Sequence, residues 1–284
     1  MAEVRLTKRI EFAAAHRYHH DGWDAATNRK VFGACNNVHG HGHNYLLEVS
    51  VRGEVDPENG MVVNLYDLKK VLEGVLEEFD HKHLNLDTPY FKNRIPTSEN
   101  IALVLWHLLA GYPAIGRLER VRLYEDDDLN AEVTHELVER AAQHPVARLT
   151  KRYHFSAAHR VLNARLSEAD NRRLFGQDSE PNGHNYVLAV TVSGEVDSDT
   201  GMITDIAALD QAVQDLVVRR FDRRDLNQDP DFRSLPTTGE NLAVLIWNLL
   251  EKAVKKGRLE KIGLGQHRDL SYEYAGVTSD HVRA

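Results

Sequence analysis

The chain repeats itself once, and this limits its possible folds more than any other feature. RIEFAAAHR (residues 9–17) returns as RYHFSAAHR (152–160), and VFGACNNVHGHGHNYLLEVSVRGEVDPENGMV (31–62) returns two residues shorter at 174–203. EFDHKHLNLD, IPTSENIALVLWHLL and GRLERVRLYE each return in the same order. The offset is 143 residues at the first motif and 141 at the last, so the chain is two tandem copies of one domain, not a solenoid of short units. We place the first copy at 1–136, a linker at 137–146 and the second copy at 147–284. Residues 133–143 read as a strand end or short helix leading into the linker.

Each copy predicts an α+β domain. In the first, Val4–Ala14 and Asn44–Val55 are rich in alternating and β-branched residues, and the second run ends at the turn sequence DPENG. Leu68, Val71, Leu72, Val75, Leu76 and Phe79 follow helical spacing. Ser98 is placed to cap a second helix carrying Ile101, Val104, Leu105, Leu108 and Leu109. Arg117–Tyr124 and Asn130–Val133 read as a closing hairpin. In the second copy, Asp205–Phe221 and Gly239–Val254 are the expected helices. A sheet with both helices on one face suits this order.

Composition narrows the function classes. Net charge is −8, which argues against broad nucleic-acid binding. The longest apolar run, Ile101–Trp106, is too short to span a bilayer, and MAEVRLTKRIEF lacks a signal-peptide pattern. A single cysteine, Cys35, excludes an intrachain disulfide and suits the cytoplasm. Sixteen histidines call for explanation.

The sharpest feature is His39-Gly40-His41-Gly42-His43. At strand periodicity His41 and His43 point the same way, and the glycines admit a close approach. Two imidazoles on one face suit zinc, with His16 of FAAAHR as the candidate third ligand and a fourth position open. Cys35, six residues before His41, is open to three readings: a proton-transferring thiolate, the fourth ligand of a closed Cys-His₃ zinc site, or an inert thiol. Asp80-His81 pairs a carboxylate with an imidazole that it can orient. Glu125 ends an apolar strand ahead of an acidic turn. His19, His20, His83, His107 and His135 are assigned to surface or packing.

Taken together, FAAAHR, FGACNNVHGHGHNY, GEVDPENGMVVNLYDLK, DHKHLNLDTPYF, PTSEN and LYE resemble the 6-pyruvoyl-tetrahydropterin synthase family, which includes the 6-carboxytetrahydropterin synthases. The resemblance covers both copies. It implies two tandem T-fold (tunnelling-fold) domains, each an antiparallel four-stranded sheet with two helices. By motif, His16, His41 and His43 match the zinc ligands, and Cys35, Asp80 and His81 match the proton-transfer set. Glu125 matches the carboxylate that anchors the pterin, and Thr97, Ser98 and Glu99 match a segment lining its pocket. His39-Gly40-His41 also lies at the spacing of the 6-carboxy enzymes. The His41/His43 register is preferred because Asn44-Tyr45 and the strand beyond then align without a gap.

The implied reaction is zinc-dependent conversion of 7,8-dihydroneopterin triphosphate to 6-pyruvoyl-tetrahydropterin by a carbon–oxygen lyase. The alternatives are 6-carboxytetrahydropterin synthesis from the same substrate, a non-catalytic pterin-binding protein, and a structural zinc protein. The second copy keeps His159, His184 and Glu240. It carries Asn182 in place of His41, Asp178 for Cys35, Asp222-Arg223 for Asp80-His81 and Gln266 for Glu125, so it is expected to lack the reaction. Family members form sites between subunits in stacked trimeric rings. Three tandem chains would supply six domains, a homotrimer forming a pseudo-hexamer, with neither nucleic acid nor membrane as partner.

Overall fold

The structure, a computed structural model, describes residues 2–141 and 144–276. Ala142 and Gln143 of the expected linker, and residues 277–284 of the second copy, lie outside the described residues.

In the first copy, β1 (Glu3–His16) and β2 (His41–Glu54) pair antiparallel from Glu3 opposite Glu54 to His16 opposite His41. β2 turns Tyr45, Leu47, Val49 and Val51 to one face, all four fully buried, and Glu48 and Ser50 on its other face are buried as well. Between these strands lies α1 (Ala25–Phe32), capped by Asp24. Its sequence, AATNRKVF, has no apolar period, and so the periodicity did not predict it.

Helix α2 (Leu65–Leu76) is capped by Asn64 and buries Leu68, Leu72, Val75 and Leu76. The expected stripe ran on to Phe79. That residue is fully buried too, but it sits in the turn after the helix, where its N–H donates to the Leu76 carbonyl (2.9 Å). The chain then makes the short β3 (Lys82–His83), parallel to Ala14–Ala15 of β1, and α3 (Leu84–Asp87). Helix α4 (Ser98–Ala110) starts one residue earlier than a Ser98 cap implies: Thr97 is the cap, accepting from the Asn100 N–H (3.2 Å). That shift leaves the Ser98 hydroxyl free for other work. β4 (Arg117–Tyr124) and β5 (Leu129–Thr134) complete an antiparallel sheet of order β5-β4-β2-β1. This is the four-stranded T-fold unit. The short α5 (His135–Arg140) follows, capped by Thr134.

The second copy repeats the plan: β6 (Val146–His159), α6 (Glu168–Phe175), β7 (Asn182–Glu195) and α7 (Ile206–Val213). α7 continues through a π turn (Gln214–Val218) into α8 (Arg219–Phe221). Then come β8 (Arg224–Asp225), α9 (Gly239–Leu250), β9 (Arg258–His267) and β10 (Leu270–Tyr274), with sheet order β10-β9-β7-β6. Its core gathers Phe155, Tyr186, Leu188, Leu209, Val213, Phe221, Leu242 and Ile246. Among the described residues, no helix is long and apolar enough to cross a membrane.

The compact units divide the chain differently from the sequence copies. One comprises Met1–Leu149 with Ser193–Ile203, the other Thr150–Val192 with Thr204–Ala284. The reason is visible at the start of α4. The Thr97 hydroxyl donates to the Gly201 carbonyl (2.6 Å), and the Ile203 N–H donates to Glu99 Oε1 (3.2 Å). Gly201 has φ +72°, and a Cβ there would lie 2.6 Å from Asn100 Nδ2 and 3.0 Å from Thr97 Cγ2. Gly201→Ala therefore combines left-handed strain with a clash and is expected to destabilise this unit by roughly 2–4 kcal/mol. Urea unfolding measures it, and an unchanged midpoint would contradict the packing described here.

Candidate active site

The register of β1 with β2 builds the site. Because His16 stands opposite His41 and Ala14 opposite His43, the three imidazoles meet at the sheet end, with ring centroids 4.6 Å (His16–His41), 5.1 Å (His16–His43) and 5.0 Å (His41–His43) apart. Glu125, at the end of β4, joins them. One ligand atom from each of His16, His41, His43 and Glu125 lies within 4.8 Å of every other, the one such group of metal-ligating side chains among the described residues.

The surroundings fix the donor set. The buried His16 ring has its Nδ1 2.9 Å from the Pro96 carbonyl, which holds the proton on that nitrogen and turns a bare Nε2 toward His41 Nε2, 3.2 Å away. Burial pushes the His16 pKa down to about 3, with His41 and His43 adding to the shift and the Pro96 bond opposing it. Burial also lowers His41. His43 Nε2 is buried without a hydrogen-bond partner, 3.5 Å from Glu125 Oε1. Three imidazoles converging on one another, one with an orphaned buried nitrogen, are a donor set that suits a divalent metal. The residues fit such an ion.

Glu125 is buried beneath α4. Its Oε2 accepts from the Ser98 hydroxyl and, at 3.4 Å, from the Tyr18 hydroxyl. Glu99, on the same first turn, is buried, and burial raises its pKa to about 7 against the hydrogen bonds that it accepts, with Glu125 adding to the rise. Cys35 ends a 3₁₀ turn and is half-buried. Its carbonyl accepts from the Tyr18 N–H (3.0 Å), and the neighbouring Asn37 Nδ2 lies 3.3 Å from His41 Nδ1. Cys35 lies outside the four-residue ligand group.

Asp80 and His81 sit on the outer edge of β1. Asp80 Oδ1 accepts from the Ala13 N–H (2.8 Å), a bond that holds its carboxyl below the ordinary range, and Oδ2 lies 2.9 Å from His81 Nδ1. His81 has φ 55°, and its side chain is 82% exposed. It lines an open recess with Gly42, His43 and His83.

A 6-pyruvoyl tetrahydropterin synthase family model matches residues 5–136 and 148–276, nearly the whole chain in two successive copies. The chain belongs to the 6-pyruvoyl tetrahydropterin synthase family. It is 43% identical over 127 residues to human 6-pyruvoyl tetrahydrobiopterin synthase, spanning 44% of this chain and 88% of the human protein. The enzyme of that name from Dictyostelium discoideum is 40% identical over 107 residues, 37% of this chain and 78% of the relative. The solved Caenorhabditis elegans 6-pyruvoyl tetrahydropterin synthase is 41% identical, covers 45% of this chain and 91% of that one, and superposes with a TM-score of 0.43.

The family's motifs differ in fate between the copies. In the second, His159 Nδ1 lies 2.7 Å from the Thr237 carbonyl, as His16 does to Pro96, and the Asp178 carbonyl accepts from the Val161 N–H (2.7 Å), as Cys35 does from Tyr18. Arg223 repeats the φ of 55°. The scaffold is kept while the donors change: Gln266 Nε2 meets His184 Nε2 at 2.9 Å where the first copy has Glu125 beside His43. Tyr18 and Tyr45 escaped the sequence reading, although each continues the period of two beyond a site histidine. Tyr45 Oη lies 3.2 Å from His16 Nδ1. His83, assigned to surface or packing, is half-buried and its Nδ1 lacks a hydrogen-bond partner.

Proposed function

We propose that the first copy converts 7,8-dihydroneopterin triphosphate to 6-pyruvoyl-tetrahydropterin, with zinc held by His16, His41 and His43. The observation that carries this reading is the convergence of those imidazoles with Glu125 beneath the start of α4, on the motifs of a pterin-synthesising family. Bound there, zinc supplies a Lewis acid that lowers the pKa of the substrate's side-chain hydroxyls.

The protein groups do the rest. Glu125, steadied by Ser98, accepts hydrogen bonds from the guanidine-like edge of the pterin, and Thr97, Ser98 and Glu99 line the pocket. Anchoring the ring there fixes the side chain relative to Cys35, whose thiolate removes and returns protons on it. Asp80 orients His81 for the accompanying transfers. The C–O bond to triphosphate breaks, and electrons lost by the side-chain carbons reduce the ring at N5 and C6, so no external oxidant is consumed. In this reading Asp80 and His81, exposed on one chain, meet Cys35 of the next within a trimer of chains. The second copy, lacking Cys35, His41 and Glu125 equivalents, serves as structural partner.

Incubating the zinc-loaded full chain with 7,8-dihydroneopterin triphosphate tests the reading. Mass spectrometry is expected to find triphosphate and the pyruvoyl pterin. A 6-carboxy pterin with acetaldehyde, or no release of triphosphate, would overturn it.

A further inference from the structure

Three histidines that the sequence assigns to surface or packing, His19, His20 and His83, line one recess together with Arg17, Lys92 and Arg94. The carboxylates on its wall are Asp21 and Asp199, so cationic and imidazole groups outnumber acids there. Arg17 is the anomaly. Its backbone is pinned by Asn85, whose Oδ1 accepts from the Arg17 N–H (2.8 Å) and whose Nδ2 donates to the Arg17 carbonyl (2.9 Å). Its guanidinium has no ion pair among the described residues, and its Nε is buried without a hydrogen-bond partner. Arg9, Arg52 and Arg122, on the strands nearby, each pair with a glutamate. Lys92 and Arg94 are exposed and likewise have no ion pair among the described residues. A half-buried guanidinium left unpaired costs free energy that an anion would recover.

The recess adjoins the imidazole cluster through His83. A Cβ on Gly40 would lie 2.8 Å from the His16 carbonyl oxygen and 2.8 Å from His83 Nε2, so the His83 ring stands against the chain that leads into His41. His83 also lines the separate recess that His43 and His81 share, and its Nδ1 is buried without a partner. The repeat supplies a control. Asn227 pins Arg160 as Asn85 pins Arg17, at 2.8 and 2.9 Å, but the Arg160 guanidinium pairs with Glu168 (3.4 Å). Asp225 stands in place of His83 in the corresponding two-residue strand. Leu162 and Asn163 replace His19 and His20, and Leu235 replaces Arg94. Arg233, in place of Lys92, is the one position that stays basic and without an ion pair among the described residues. The copy that carries the imidazole cluster and Glu125 thus also gathers unpaired positive charge beside it, and the other copy does not.

We infer that this recess binds an oligophosphate chain and seats the triphosphate of the substrate. Arg17 offers a planar fork to phosphate oxygens, Lys92 and Arg94 add charge at the exposed side, and the unpartnered His83 Nδ1 donates where the two recesses meet. Binding energy from this end of the substrate holds the C–O bond that breaks beside the imidazole cluster. The identity of the ester rests on the reaction proposed above. Oligophosphate binding does not, and it is measured without turnover.

Isothermal titration of the full chain with inorganic tripolyphosphate is expected to show binding that weakens with added salt. Lys92→Glu with Arg94→Glu, both at exposed side chains, is expected to weaken it by roughly tenfold or more with an unchanged circular dichroism spectrum. Arg172→Glu with Arg173→Glu, exposed on the second copy, changes net charge equally and is expected to leave binding unchanged. In turnover, the Lys92/Arg94 variant is expected to raise KM for the triphosphate by roughly tenfold or more and to leave affinity for dephosphorylated 7,8-dihydroneopterin unchanged. No binding of tripolyphosphate, or an equal loss in both variants, would overturn the site. Loss of tripolyphosphate binding with KM unchanged would remove the substrate's triphosphate from the recess. A wild-type chain that binds tripolyphosphate in this way but does not turn over would support the site and overturn the reaction.

Discussion

Cys35→Ala is expected to keep its zinc and lose roughly 10²–10⁴-fold in turnover, the usual effect of removing a positioned proton-transfer group. His41→Ala is expected to lose the metal, and activity with it. The two substitutions separate because different parts of the protein hold the two side chains. The Cys35 backbone is pinned by the Tyr18 N–H, and Asn36 Nδ2 donates to the Tyr18 carbonyl (2.6 Å). Neither bond involves the thiol, so both remain available to an alanine at this position. The sulfur also lies outside the set formed by His16, His41, His43 and Glu125, whereas His41 supplies one of three imidazoles. A closed Cys-His₃ site predicts the opposite: Cys35→Ala would then lower zinc content and melting temperature together. Metal analysis, thermal melting and single-turnover kinetics on both variants distinguish the two, and a parallel loss of zinc and stability in Cys35→Ala would refute the proton-transfer role.

The imidazole cluster was legible because two local signals overlapped. A period of two puts His41 and His43 on one face, and the repeated FAAAHR singled out His16. That His16 stands opposite His41 is a matter of strand register, set by pairing across 14 residues of β1 and β2, and no local period encodes it. Helix α1 went unseen because it has no apolar stripe. The one-residue error at the α4 cap arose because Thr97 and Ser98 are equally good caps. Tertiary packing decides between them: Thr97 Oγ1 meets the Gly201 carbonyl, and the Ser98 hydroxyl meets Glu125. The transfer of residues 193–203 into the first unit is invisible to any reading by copies, since it rests on contacts between positions 104 apart. Asp80 and His81 were found as a pair, but their placement on an exposed edge, at a recess that His43 also lines, required the fold.

Glu99→Gln is expected to make the protein more stable above neutral pH while weakening pterin binding. In the folded chain the carboxyl has a pKa of about 7 against an ordinary 4.5, chiefly because burial disfavours its charge, with Glu125 adding repulsion. The unfolded chain releases this proton near pH 4.5, whereas the folded chain retains it until about pH 7. The stability contributed by the protonated form is therefore complete below pH 4.5 and lost as pH rises through 7. Above that, an ionised and buried Glu99 costs about 3 kcal/mol relative to the unfolded chain. Glutamine keeps an oxygen to accept from the Ile203 N–H and carries no charge, so the variant should gain on the order of 3 kcal/mol at pH 8 and nothing at pH 4.5. The same change replaces a charged acceptor by a neutral amide. If Glu99 lines the pterin pocket, KM should rise roughly 10–100-fold, the value of a hydrogen bond to a charged group. A stability difference that did not vary with pH would show that Glu99 keeps an ordinary pKa. A gain at pH 8 with KM unchanged would remove Glu99 from the pterin site and leave it only the turn at Gly201–Ile203 to hold.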